Sequence, residues 1–483
     1  MYPNKKGEQS MFAIDRYKAA DAPPFYQPVL SNGVRFAQNP ITKALLPAAY
    51  VGLFVPGIGN PAPGAVVSGD TSYAKGFVNP QPVLVGPRFG FAYDVFGNGR
   101  TAIRGGSAIL YNPRLSKWSN MVNNPPSIFT PITYYGDMNT LLQTAGTLSP
   151  SNTQGFNPNN KTPVNYNISL GVQQDMGHSI LVDVGYLATL GRHLPQTYNI
   201  NSVPYGARFA ANNADSTNGK PLADNFFRPY PGYGNVNFTN NAFSSNYHAL
   251  LLSVNRRFAS GLQFGLAYTV SKYLDYTGIP VYRPIRTWSY GFDGADQTHN
   301  LVVNFTYALP SASKHMGGNK VVKLIADDWM LSGVAQFVSG SPAGIGLSTV
   351  QGTDLTGGGD GQRVNVVGSP NANGSTFYSW FNPAAFALPK AGDPGNASKN
   401  SVRNPGVNNQ DLALSKRFAV GGEKRAFTLR WEAYNAFNHT QYSGISTAAR
   451  FDIPTGNQVN TQFGQVTSTR APRVMQGSLR FTF

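Results

Sequence analysis

In segment after segment of this chain apolar and polar side chains alternate with a period of two, the strongest pattern the sequence carries, and that alternation leaves few folds open. In 164–175, Tyr166, Ile168, Leu170 and Val172 share one face, against Asn165, Asn167, Ser169, Gly171 and Gln173 on the other. After Met176–His178 the pattern resumes, with Ile180, Val182, Val184, Tyr186 and Ala188 opposed to Leu181, Asp183, Gly185 and Thr189. Segment 262–272 sets Leu262, Phe264, Leu266, Tyr268 and Val270 against Gln263, Gly265, Ala267, Thr269 and Ser271. In 299–309, Leu301, Val303, Phe305, Tyr307 and Leu309 oppose Asn300, Asn304 and Thr306. Successive side chains of a strand point to opposite faces, so these segments read as strands with one apolar and one polar face.

The pattern predicts about eleven strands, at 87–96, 101–111, 164–175, 179–190, 247–258, 262–272, 299–309, 329–338, 410–418, 426–437 and 474–483. Each is about as long as a tilted strand needs to be to cross a bilayer. The connections alternate in length. Short ones at 97–100, 176–178, 259–261 and 419–425 are interleaved with long ones at 112–163, 191–246, 273–298, 339–409 and 438–473, and 310–328 is intermediate. Short turns at one end and long loops at the other are the mark of a transmembrane β-barrel, with turns on the periplasmic side and loops outside. The turn residues Gly97-Asn98-Gly99 and Gly421-Gly422 supply positive φ readily. The expected fold class is therefore all-β, an antiparallel transmembrane β-barrel portion. Residues 1–86 are expected to form an extracellular loop region and lead-in, and 87–483 the barrel strands.

An odd strand count does not close a bacterial single-chain barrel, which has an even number. An open sheet would leave unpaired edges in hydrocarbon, at several kcal/mol per orphan group. The chain is accordingly expected to be part of a larger barrel.

Composition agrees with this reading. Charged residues are 12%, about half the usual share of a soluble protein, whereas Gly (52), Pro (35) and aromatics (12%) are frequent, which disfavours both disorder and helices. There is no cysteine, and no uninterrupted apolar run approaches the length of a membrane-spanning helix. The net charge of +16 is spread without runs of Lys or Arg longer than two, which points to solvated loops and a polar lumen rather than to nucleic acid. The N-terminus, Met-Tyr-Pro-Asn-Lys-Lys, has no apolar core of a signal peptide.

Several stretches resemble TonB-dependent receptors of the Oar-like kind. They are Gly86-Pro-Arg-Phe-Gly-Phe-Ala-Tyr-Asp-Val-Phe-Gly-Asn-Gly-Arg-Thr-Ala-Ile-Arg-Gly-Gly106, Asn165-Tyr-Asn-Ile-Ser-Leu-Gly-Val-Gln173 and Val184-Gly-Tyr-Leu-Ala-Thr-Leu-Gly-Arg-His193. Asn246-Tyr-His-Ala-Leu250, Asp296-Gln-Thr-His-Asn300, Trp431-Glu-Ala-Tyr-Asn-Ala-Phe-Asn-His439 and the terminal Gln476-Gly-Ser-Leu-Arg-Phe-Thr-Phe483 continue the likeness. The resemblance implies a barrel of about 22 strands, filled by an N-terminal plug through which a TonB-type energy-coupling system acts. The eleven strands would be its C-terminal half, and the plug, the coupling box and the signal peptide would lie upstream. It also implies that the closing strand, with Leu479, Phe481 and Phe483, carries the signal read by the barrel-assembly machinery. An ordinary strand ending the chain is the plainer alternative.

No catalytic constellation, cofactor motif or nucleotide-binding glycine motif is found, and no enzyme is expected. The six histidines are scattered, with no two at i, i+3 or i+4. Asp293, Asp296 and His299 read as a rim hydrogen-bond network rather than a catalytic cluster. Asp354–Gly361 has alternating carboxylates and glycines but lacks the closing Glu of a Ca²⁺ loop, so a flexible loop is favoured. Tyr93, Tyr111, Tyr273, Tyr307, Trp329 and Trp431 suit interfacial girdles against outer-membrane lipids. Two aromatic loop stretches are candidate solute contacts, through Phe226, Arg228, Tyr230 and Tyr233 and through Tyr378 and Trp380. Packing of these loops on themselves is the alternative.

The leading expectation is an outer-membrane receptor barrel taking up an unidentified large solute. A non-transporting surface barrel or adhesin is the rival, and a soluble secreted β-protein binding polyanions is the third reading.

Overall fold

The computed structural model describes residues 9–112, 118–140, 146–276, 289–315, 317, 320–372, 374–420 and 425–483. Eleven strands form one antiparallel meander: β1 (Arg88–Asp94), β2 (Thr101–Tyr111), β3 (Val164–Gly177), β4 (Ile180–Asn199), β5 (Tyr233–Ala259), β6 (Leu262–Tyr276), β7 (His299–Ala308), β8 (Trp329–Val338), β9 (Val407–Ala419), β10 (Ala426–Tyr434) and β11 (Val474–Thr482). Each pairs with its neighbours in sequence, so β1 and β11 are the two edges. These are the eleven expected strands. Among the described residues no helix is long and apolar enough to cross a membrane.

The register confirms the faces read from the alternation. Val172, Val184, Leu252, Tyr268, Leu301 and Phe337 stand side by side across β3 to β8. One residue along, Gln173, Asp183, Ser253, Ala267, Val302 and Gln336 form the next row, on the opposite face. Among the described residues the apolar face carries no packed layer of protein: Ile168, Leu170, Val172, Leu429 and Leu479 are all exposed. On the polar face, Arg104 pairs with Asp183 at 2.8 Å and Arg430 with Glu432 at 2.7 Å.

Turn chemistry explains the tight ends. Ser260 and Gly261 both have positive φ (49° and 79°) between the paired Ala259 and Leu262, the conformation of a type I′ hairpin. Gly97 and Gly99 (67° and 71°) turn the first hairpin, with the Asp94 carboxylate accepting from the amides of Phe96, Gly97 and Gly99. Gly421 and Gly422 lie outside the described residues. The intermediate connection after β7 sits at this same end and holds α1 (Lys320–Ala326).

The described parts of the long connections lie at the other end, where they fold into a cap, and the hydrophobic core is there. One cluster joins Met11, Val66, Phe77, Met121 and Phe156, and a second joins Phe12 to Tyr233, Val236 and Phe238. A third gathers Tyr26, Ala37, Leu53 and Val55, and the largest brings residues from Ile345 to Phe463 together around Phe381 and Phe451. Residues 9–86 are thus packed into the cap with later loops, and Arg35 reaches Asp215 at 2.7 Å.

Two strands run far beyond the alternation, since β4 extends to Asn199 and β5 begins at Tyr233. The added part, Tyr233 to Ser245, is rich in Asn and ends in two Ser, which local propensity reads as loop. It is held as strand by pairing with β4 and, in parallel, with Ser151–Phe156.

Candidate functional site

Where the polar face of the sheet meets the cap, β6 presents Ser271, Tyr273 and Asp275 by alternation, and the two polar ones are buried. The segment Lys399–Arg403 of the long connection after β8 is anchored across this mouth. Lys399 forms an ion pair with Asp275, and Arg403 binds Asp296 at 2.7 Å. Asp296 also accepts from the Tyr273 amide (2.7 Å) and the Thr298 hydroxyl (3.1 Å), and Asn400 donates to the Phe292 carbonyl at 2.6 Å. The Arg403 guanidinium lies 4.9 Å from the Phe292 ring centre. Two buried carboxylates, each satisfied by a cation from a segment over a hundred residues away, tie this loop to the sheet.

His299 does not join Asp296. Its ring is on the apolar face, with Nδ1 2.9 Å from the Tyr268 hydroxyl. Asp296 is therefore a rim residue of a hydrogen-bond network. Five of the six girdle tyrosines and tryptophans fall on the apolar face by register. Tyr273 is the exception, because it shares parity with Ser271 and packs edge-on against Tyr247 at 6.1 Å on the inner side. The sequence pattern assigned it by its position near a strand end instead of by its parity.

The loop 200–232 is organised around Asn201, which is fully buried. Its amide nitrogen donates to the carbonyls of Tyr230, Tyr233 and Gly234 at 3.0, 3.0 and 2.7 Å, and its amide oxygen accepts from the Tyr230 amide at 2.7 Å. Arg228 donates to the Asn201 carbonyl at 2.6 Å. Phe226 packs on Phe25, with ring centres 5.5 Å apart. Tyr230 and Tyr233 pack edge-on against Phe12, and Tyr233, 1% exposed, donates its hydroxyl to the Pro63 carbonyl at 2.9 Å. The surfaces of Tyr233 and Phe226 go into the cap interior.

Buried Tyr233 and half-buried Tyr17 and Tyr230 make the cap sensitive to alkali. Burial, followed by the neighbouring Tyr230, pushes Tyr17 up to about 12, and burial drives Tyr230 and Tyr233 upward as well. A raised phenol contributes stability that is complete below its unfolded value of about 10 and is lost as pH rises through the folded value. Tyrosine fluorescence and limited proteolysis should therefore show the cap loosening between pH 10 and about 12, with the strands outlasting it. A cap unchanged across that range would contradict the packing described.

Asp354–Gly361 is an ordered turn of the cap. Arg208 bridges Asp224 (2.8 Å) and Asp354 (2.7 Å), and Ser202 donates to Asp360 at 2.6 Å. Burial raises the Asp354 carboxyl, but the Thr356 hydroxyl and Arg208 outweigh it and hold Asp354 below the usual carboxylate range. Its carboxylates are committed to protein donors rather than aimed at a common point, so the Ca²⁺-loop likeness goes no further than composition.

Tyr378 is different, since it is 75% exposed on the cap. Phe377 meets it edge-on at 5.0 Å and also contacts Tyr442 at 5.9 Å, and Tyr442 reaches Trp380 at 6.0 Å. Trp380 donates to the Arg403 carbonyl at 2.8 Å, which connects this aromatic patch to the anchored mouth segment. At the far edge of the sheet Leu479, Phe481 and Phe483 are exposed on β11 and its end, and Phe481 lies 4.7 Å from Phe427. Asn201, Arg208, Lys399 and Arg403 were not legible as site residues, because their partners are distant in sequence and no local pattern marks them.

A family profile described as an outer membrane beta barrel domain matches residues 5–476. No curated protein matches the chain. Among solved structures it is similar to the outer membrane transporter YddB from Escherichia coli, with 12% identity, TM-score 0.38, and coverage of 82% of this chain and 40% of that one. The FrpB iron transporter from Neisseria meningitidis (F5-1 variant) gives 10% identity, TM-score 0.39 and coverage of 86% and 42%. The ferric-catecholate import receptor Fiu from E. coli K12 gives 12%, 0.37, 85% and 38%. The chain spans about 40% of the length of these solved proteins.

Proposed function

This chain belongs to the outer membrane β-barrel domain family and resides in the outer membrane, and on that premise we propose that it is the C-terminal part of a TonB-dependent receptor of the Oar-like kind. The cap meets a large solute at the cell surface, the polar face lines the conducting lumen, and a TonB-type system acts through a plug outside this sequence. The observation that carries the reading is the gathering of the described parts of the long connections into one cap opposite the short turns.

Strand direction adds a constraint. Both β1 and β11 run from the cap toward the turns, so an antiparallel barrel cannot close by joining them. A second copy in the same membrane orientation presents the same two directions and cannot close it either. Only an odd number of further strands, beginning and ending with strands that run toward the cap, completes the barrel. About eleven further strands, half of a 22-stranded barrel, would be such a set.

Within this reading Tyr378 offers the solute an exposed aromatic face. Trp380, Arg228 and Tyr230 sit in the cap behind such contacts, and Phe226 and Tyr233 hold its shape. Leu479, Phe481 and Phe483 present the closing strand to the barrel-assembly machinery, and the apolar face meets outer-membrane lipids.

The absence of cysteine makes the orientation directly testable. In intact cells Tyr378→Cys should react with a membrane-impermeant maleimide, whereas Asn98→Cys, in the first turn, should react only after lysis. The opposite pattern, or protection of both, would overturn the assignment. The rival, a non-transporting adhesin, is favoured by the well-packed cap. It is separated from transport by cross-linking of the protein together with the proposed plug: a transporter captures the inner-membrane energy-coupling protein, and an adhesin does not.

A further inference from the structure

On the face of the sheet opposite the lumen, a groove of about 530 Å³ crosses β5 to β8. Its walls include Leu252, Leu266, Leu301 and Phe337, it reaches Val407 of β9, and its polar lining is Tyr268, His299 and Ser339, of which His299 and Ser339 stand at the cap end. A lipid-facing surface has no use for a polar end unless that end lies at headgroup depth, where Tyr, His and Lys are stable. His299 is at the cap end of β7, which is that depth.

The polar end is built to a pattern that occurs twice. Tyr268 and His299 share a hydrogen bond of 2.9 Å with their rings 8° from parallel, and Tyr186 and His248 share one of 2.7 Å. In both pairs the histidine stands two residues toward the cap from the tyrosine's direct partner, Leu301 in one case and Leu250 in the other. Lys272 is the direct cross-strand partner of His248, and the next residue of its face, Val270, is opposite His299. His248, Lys272 and His299 therefore follow one another along the cap-side rim of adjacent strands, all exposed. In the tautomer in which the phenol donates to Nδ1, each imidazole has an Nε2–H left to donate. The Lys272 ammonium lies 5.7 Å from the Phe292 ring centre, at the rim.

Three donors in a row, at least one of them cationic, above an apolar groove are complementary to an anionic headgroup above an acyl chain. We propose that this face binds a phosphate-monoester lipid of the cap-side leaflet. An acyl chain would lie along Leu252, Leu266 and Leu301, and the phosphate would be held by His248, Lys272 and His299. A phosphate monoester suits the row better than a diester because it has more negative charge and three free acceptor oxygens. The inference rests on the membrane orientation proposed above.

The protein, extracted from outer membranes in mild detergent and stripped of lipid, is offered diphosphoryl lipid A, the same lipid A after enzymatic dephosphorylation, or phosphatidylglycerol. Bound lipid is counted by native mass spectrometry. Diphosphoryl lipid A should be retained, with dephosphorylated lipid A and phosphatidylglycerol each about tenfold weaker. The triple variant H248Q/K272Q/H299Q should lose the preference while keeping the native cap, as read by limited proteolysis. Leu301→Trp, which fills the groove and leaves the rim intact, should weaken all three lipids together. Equal retention of phosphorylated and dephosphorylated lipid A, preference for phosphatidylglycerol, or a triple variant that binds as the parent does would each overturn the proposal. Maleimide labelling of Tyr378→Cys is independent of these readouts, so a wrong orientation and an absent lipid site give different results.

Discussion

Leu170→Arg is expected to remove most of the protein from the outer membrane, while Gln173→Arg, three residues along the same strand, leaves the yield near that of the parent. Leu170 lies near the middle of β3 on the apolar face, opposite Gly105 of β2 and Tyr186 of β4, and is exposed. If that surface meets hydrocarbon, a guanidinium there costs about 2–4 kcal/mol near the bilayer midplane. Gln173 is on the other face, directly opposite Asp183, whose carboxylate already accepts from Arg104 at 2.8 Å. A second cation at that point meets water and a carboxylate. The comparison is read as outer-membrane yield of each variant. Equal tolerance of the two arginines would mean that the apolar face does not contact lipid, and the groove proposed on it would fall as well.

Phe12→Ala is expected to open the cap without unpicking the sheet. Phe12 is fully buried and sits between Tyr17, Tyr230 and Tyr233, with ring centres at 5.7, 5.2 and 5.3 Å. Truncating it leaves a cavity walled by three tyrosines, at a cost of about 3–5 kcal/mol. That is a large fraction of what a folded unit of this size has in hand. The loss is local, because the turn-side halves of the strands are held by their own ladders, remote from this cluster. Protease added to intact cells should then cut within residues 9–86 and 200–232, where the parent resists. Unchanged resistance would show that the cap is not held by this cluster.

The two experiments probe two parts of the molecule that differed in legibility. Strand positions, faces and the alternation of short and long connections were readable because each depends on neighbours one or two residues away. Tyr186, Leu252 and Leu301 belong to the same apolar row whether judged by parity along each strand or by cross-strand register. Parity also corrects position, as Tyr273 shows. The far ends of β4 and β5 were not readable, because an Asn-rich segment such as 233–245 becomes a strand only when another part of the chain supplies the pairing.

The cap was hidden for the same reason. Asn201 gathers three carbonyls, Arg208 joins Asp224 to Asp354, and Lys399 and Arg403 reach Asp275 and Asp296, all through contacts that no periodicity encodes. Candidate solute residues chosen for their aromatic character divided accordingly. Tyr233 is interior, and Tyr378 remains at the surface.

By itself the sequence determined the fold class, the strand register parity and the membrane class of the protein, since a two-residue period and a rhythm of turn lengths are local properties that any barrel strand must satisfy. Only the tertiary structure decided where the hydrophobic core lies, which loop is tied across the mouth and which aromatic residues stay exposed. Those depend on side chains meeting across a hundred residues or more, and in a sheet whose apolar face is turned outward the core has nowhere to form except among the loops.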